Sequence, residues 1–184
     1  MMAELNQAEF RTLLDRAQIH DALMRYSRGV DRGDGELVMS CFHPDATLDY
    51  GRGPMSATAL AEGIAKMTAT GAMHFIGNEY VEVDGDTAYG ETYFISYATI
   101  TSSGQPATRS RGGRYLDRFE CRDGEWKIAR RLLVDEWSRL DELPGPGPSA
   151  PAAPSAPSAP AAPPAGHVGL RSKDDPVYTF RNGG

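Results

Sequence analysis

Cysteine is scarce in this sequence of 184 residues: Cys41 and Cys121 are the only two. Two thiols cannot build a disulfide framework, so both are expected to be buried small hydrophobes in a reducing compartment, with a single bridge as the alternative. Positive charge is also short. Nineteen Lys and Arg face 25 Asp and Glu, for a formal charge of -6, which excludes sequence-independent phosphate binding as a main activity and nucleic acid as an expected partner. No stretch approaches the roughly 20 apolar residues of a membrane span, and the opening MMAELNQAEF carries acids in place of a basic n-region. The expectation is a cytoplasmic protein with no membrane partner. The four histidines, His20, His43, His74 and His167, fall on separate elements without paired ligand spacing or a Cys partner, so no metal is expected. Gly51-Arg52-Gly53 lacks the Lys-Ser/Thr of a phosphate loop, and no Gly-x-Ser-x-Gly elbow occurs, so neither a nucleotide cofactor nor covalent catalysis is indicated.

Proline is abundant, but in one place. Nine of the 13 prolines lie in Pro144 to Ala165, among only Ala, Ser and Gly. Such a segment cannot pack a core and favours extended polyproline II. It divides the chain into a domain (1–143), a linker (144–165) and a tail (166–184). The tail regains apolar residues (Val168, Leu170, Val177, Tyr178, Phe180) and carries +1, against -7 on residues 1–143. Two readings stand: a disordered terminus, or a lid over its own or a neighbouring pocket.

Within the domain, Phe10, Leu13, Leu14, Ala17, Ile19, Leu23 and Tyr26 recur at helical spacing, ending at Gly29 and Gly33. Asp34 begins a short helix (36–41), His43-Pro44-Asp45 reads as a turn into a strand (46–50), and Ser56 caps a third helix (56–70). Residues 73–83, 88–101, 114–121 and 126–137 are rich in Tyr, Phe, Ile, Val and Thr and are separated by Gly-Asp and Asp-Gly turns. Helices followed by a meander predict an α+β domain, a curved antiparallel sheet wrapped around N-terminal helices.

Acid-base groups are what remain for chemistry. Asp31 lies near the end of the first helix, where a carboxylate is electrostatically disfavoured; a solvated terminal acid is the bland alternative. His74 begins a strand, and alternation places 74, 76 and 78 on one face, so Asn78 is read either as a substrate-orienting group or as a backbone partner. Tyr50, Tyr93, Tyr97, Tyr115 and Phe94 are candidates for a pocket wall, or ordinary core. Arg130 and Arg131 occupy opposite faces of a strand. Strict alternation puts Arg131 with Leu133, Asp135 and Trp137, and a structural ion pair with Asp135 or a helix acid is its rival reading. Arg109, Arg111 and Arg114 read as a solvated loop and strand start, with contact to an acidic ligand or subunit as the alternative.

The ordered motifs Asp-Ala-Leu-x-Arg-Tyr-x-x-x-x-Asp (21–31), Cys-Phe-His-Pro-Asp-Ala (41–46), His-x-x-x-Asn (74–78), Val-Asp-Gly-Asp-x-Ala (83–88) and Asp-Gly-x-Trp-Lys-Ile-x-x-Arg (123–131) resemble the SnoaL-like branch of the nuclear transport factor 2-like superfamily, across residues 5–140. In pattern they are nearest to its lyases, scytalone dehydratase, hexachlorocyclohexane dehydrochlorinase and bile-acid 7α-dehydratase. The resemblance implies a cone-shaped α+β barrel with one deep pocket, and makes Asp31 and His74 the family's Asp-His dyad. Tyr26 falls where those enzymes place a tyrosine or a lysine, and Arg131 at the pocket arginine. It further implies a cofactor-independent lyase that abstracts a proton and eliminates water, halide or a small aldehyde from a hydrophobic aromatic or polycyclic molecule. Isomerisation in the same pocket and a non-catalytic binding or assembly module are the alternatives. Relatives with this motif set are often trimers, and a homotrimer is expected here.

Overall fold

Helix α1 (Gln7–Arg32) begins at Asn6, whose side chain accepts from the backbone N–H of Ala8 and Glu9 while Glu9 reaches back to the Asn6 N–H. That reciprocal cap satisfies the first orphan donors of the helix. Ile19, Ala22, Leu23, Tyr26 and Val30 form its buried stripe. The expected stripe starts earlier, but Phe10, Leu13 and Leu14 are exposed. Gly33 ends the helix at φ 67°, the left-handed conformation that favours glycine. The computed structural model describes residues 6–67, 71–142 and 169–181.

Capped by Asp34, α2 (Gly35–Ser40) leads into β1 (Phe42–Asp49), β2 (Pro54–Ser56) and the Ser56-capped α3 (Ala57–Lys66). Four long strands follow: β3 (Gly71–Asp84), β4 (Thr87–Ser102), β5 (Gln105–Arg122) and β6 (Glu125–Glu142). The sheet order is β2-β1-β6-β5-β4-β3. It is a curved, open, six-stranded sheet, and not a closed barrel. It is also mixed, because β1 runs parallel to β6 while every other pair is antiparallel. The turns Ser103-Gly104 and Asp123-Gly124 have positive φ at both residues, the two-residue hairpin geometry that matches strand twist.

Three sequence expectations are corrected. His43-Pro44-Asp45 lies inside β1 rather than before it; the ladder to β6 shifts register between Phe42 and Thr47, so Pro44 interrupts no regular pairing. β2 was not anticipated. Arg109 and Arg111 are not in a solvated loop, since β5 begins at Gln105 and pairs with both β4 and β6 over that stretch. The predicted end of the third helix at residues 68–70 and the linker at 144–165 lie outside the described residues.

Residues 169–181, with α4 (Pro176–Arg181), sit against the C-terminal ends of α1 and α3. The Arg171 guanidinium donates to the carbonyls of Ile64 (2.8 Å) and Met67 (3.0 Å) at the end of α3, adding a second donor to the Ile64 oxygen that already accepts the Met67 N–H. Lys173 pairs with Asp34, and Arg32 with the buried Asp175 at 3.4 Å. Arg171→Ala is expected to lower stability by about 1 kcal/mol and the melting temperature by a few degrees, checked by thermal denaturation.

Candidate active site

Asp31, in the last turn of α1, meets His74 on β3. Its Oδ1 lies 2.6 Å from His74 Nδ1, and its Oδ2 accepts the His74 backbone N–H at 2.9 Å. Both side chains are 13% exposed, shielded from bulk water without being sealed from it. A carboxylate only accepts, so Nδ1 carries a proton, and the neutral imidazole has its lone pair on Nε2. Two bonds to one residue fix the imidazole, and His74 lines a cavity of about 160 Å³.

The cavity lies between α1, α3 and the inner face of the sheet. Val30, Leu60, Ile64, Met67, Phe94 and Leu133 make most of it apolar. Tyr26, Tyr50 and Tyr115 line it too, and the largely exposed Tyr97 borders it. The hydroxyls of Tyr26 and Tyr50 are 2.9 Å apart, and Phe94 stacks on Tyr115 at 4.5 Å. Burial pushes the phenols of Tyr26, Tyr50 and Tyr115 upward from the ordinary tyrosine range. They therefore stay protonated and donate.

Arg131 has a different place from the one expected. It faces inward with Leu133, but it does not line the cavity: it lies fully buried beneath the tyrosines, 4.3 Å from the Tyr26 ring centre and 4.1 Å from that of Tyr115. Its partner is neither Asp135 nor a helix acid. Asp117 on β5 accepts Nε at 2.7 Å and Nη2 at 2.6 Å, in a fork-on-fork pair. Burial alone would lower the Arg131 pKa, and Asp117 holds it up, so the cation persists. Arg131 can act on chemistry only through the tyrosines it supports. Asp135 instead pairs with Arg111. Arg130 is exposed.

Asn78 and Tyr93 are not brought to the dyad. The β3–β4 register shifts between Ile76 and Glu79, so an extra residue turns Asn78 to the opposite face. There it joins Tyr93, Phe75, Ile95 and Trp137 in a shallow outer depression of about 680 Å³. Tyr93 goes there by plain alternation with the inward Phe94. Arg109 and Arg111, expected first as solvated charges and only second as contacts to an acidic ligand or subunit, line the cavity. Their two-residue spacing from Gly113 and Tyr115 was the available signal, hidden because Gly112-Gly113 reads as loop. Among the described residues, no three His, Cys, Asp or Glu side chains gather as metal ligands, and no helix is long and apolar enough to cross a membrane.

A helix-backed curved sheet with an apolar inner pocket and a half-buried Asp-His couple defines a class of small α+β pocket proteins. Residues 11–132 match the model of the SnoaL-like domain family, and the chain belongs to that family. Uncharacterized protein Rv2910c of Mycobacterium tuberculosis is 29% identical over 125 residues, which are 64% of this chain and 83% of the relative. Among solved structures, hexachlorocyclohexane dehydrochlorinase LinA-type3 from Novosphingobium barchaimii LL02 superposes with a TM-score of 0.64 at 21% identity, over 78% of this chain and 99% of that one. A putative scytalone dehydratase from Novosphingobium aromaticivorans gives 0.62 at 21% identity, over 76% and 97%. At such identity these structures share the fold.

Proposed function

We propose that the chain is a cofactor-independent lyase that eliminates a β-leaving group from a hydrophobic small molecule, with His74 as base. The observation that carries this reading is the Asp31–His74 couple, in which Nδ1 is taken by Asp31 and His74 lines a largely apolar cavity. The step balances without an outside reagent. Nε2 takes a C–H proton, the freed electron pair becomes the new C=C bond, and the bond to the leaving group breaks. A departing hydroxyl leaves as water with the proton that His74 then returns, whereas a halide leaves as the anion. Asp31 stabilises the imidazolium between the two events. The protonated Tyr26–Tyr50 pair donates to the departing group or a neighbouring oxyanion.

A cavity near 160 Å³ favours a single ring over a polycyclic substrate, since about 150 Å³ accommodates benzene. Tyr26→Phe is expected to lower turnover by on the order of 10²-fold with little change in folding, read from steady-state kinetics. The reading itself is tested by mass spectrometry of the protein incubated with hydroxylated and halogenated cyclic compounds. A product lighter by water or hydrogen halide supports it; a product of unchanged mass points to isomerisation, and ligand retention without turnover to a binding module. We propose in addition that residues 169–181 close one side of the cavity, and that copies assemble as a homotrimer through the outer sheet face.

A further inference from the structure

The strands place two arginines opposite the base. In the sheet register His74 pairs with Ser96 and Ser96 with Arg111, while one step along Ala72 pairs with Ala98 and Ala98 with Arg109. All six residues line the same cavity. Adjacent strands are about 4.8 Å apart, so the backbones of His74 and Arg111 stand roughly 10 Å from each other, the span of one substituted ring. The small side chains of Ala72 and Ala98 leave the lane in front of Arg109 open.

The two arginines differ in what they already hold. Arg111 is held by Asp135 through both Nε and Nη2, and Arg114 by Glu91 and Glu136. Arg109, half-buried at the cavity rim, has no ion pair and no side-chain hydrogen bond among the described residues. An acid within its electrostatic reach is Asp135, whose carboxyl is held below the ordinary range first by Arg111. Asp31, at the other end, has both oxygens occupied by His74. A guanidinium facing an apolar cavity, with the local carboxylate already committed elsewhere, is matched by an anion that arrives with the ligand.

We infer that Arg109 is a carboxylate-binding residue, and that the substrate is a compact, single-ring or similarly small hydrophobic acid. This deepens the lyase reading and rests on it for the reaction, though not for the binding. The carboxylate lies against the Arg109 fork, the ring spans the lane past Ala98 and Ser96, and the reacting carbon reaches His74 Nε2. The carboxylate is unchanged by the elimination; it fixes which C–H bond meets the base.

The test uses benzoate and its neutral isostere benzamide as probes in calorimetric titrations of the full chain. Benzoate is expected to bind more tightly than benzamide. Arg109→Gln should weaken benzoate by about tenfold or more, leave benzamide unchanged, and melt at the parent temperature, and Arg109→Lys should recover part of the loss. His74→Ala should keep the benzoate preference, which separates this proposal from the choice of base. Benzoate binding no better than benzamide, or equal benzoate affinity in Arg109→Gln, overturns the carboxylate site while leaving the lyase reading standing. A poorly folded Arg109→Gln leaves the decision to Arg109→Lys and to the benzoate-benzamide difference in the parent protein.

Discussion

His74→Ala is expected to fold normally and to lose turnover by at least about 10²-fold. Both halves of that outcome follow from the geometry. The imidazole makes one side-chain bond, to Asp31, and borders an existing cavity, so its removal enlarges a space rather than opening a new one in the core. Alanine retains the backbone N–H that Asp31 Oδ2 accepts, so the end of α1 stays tied to β3. Chemistry loses the one imidazole among the described lining residues, and no described neighbour replaces it: the buried Tyr26 and Tyr115 are held protonated and the arginines are permanent cations. Asp31→Asn should cause a comparable loss by another route. An amide carries donors, so the proton is no longer obliged to sit on Nδ1, and the Nε2 lone pair is no longer guaranteed. Because the two residues act as a unit, the double variant should be little worse than the more severe single one in steady-state kinetics. Full turnover in His74→Ala would remove the base, and the elimination reading with it.

Local signals carried most of the fold into view. Asp34 and Ser56 announced their caps, Gly33 its left-handed stop, and Asp123-Gly124 its hairpin, because each depends on a few neighbouring residues. What stayed hidden was set by pairing between distant strands. The parallel partnership of β1 with β6 has no local signature, and neither does the register shift that turns Asn78 outward. The same applies to Arg131. Its inward direction follows from alternation, but its ion partner Asp117 lies on a neighbouring strand. Asp31 and His74 were named through the order of motifs, and their contact spans 43 positions of chain. Periodicity alone could not have joined them, since it reads one element at a time. Arg109 and Arg111 show the opposite failure: the local reading of a glycine-rich charged stretch as loop was overridden by strands pairing on both sides.

Arg131→Met is expected to destabilise the fold by about 3 to 5 kcal/mol and to lower the melting temperature by on the order of 10 °C. The substitution leaves the Asp117 carboxylate without its counter-charge where both side chains are 0% exposed. It also removes the cation packed over two tyrosine rings, an arrangement worth about 1 to 2 kcal/mol when dry. The two contributions separate in a companion variant. Replacing Asp117 by Leu together with Arg131→Met removes the stranded charge as well, and most of the lost stability should return, because a buried ion pair and a well-packed apolar pair of similar volume differ little. What should not return is the rigidity of the tyrosine floor. Tyr26 and Tyr115 would rest on flexible apolar side chains, so the double variant should bind small ring compounds more weakly than the parent while His74 remains in place. Turnover measured well below the melting temperature should fall less than in His74→Ala, since Arg131 reaches the cavity only through those rings. A fall as large as that of His74→Ala, in protein shown to be folded, would mean that the guanidinium itself meets the substrate.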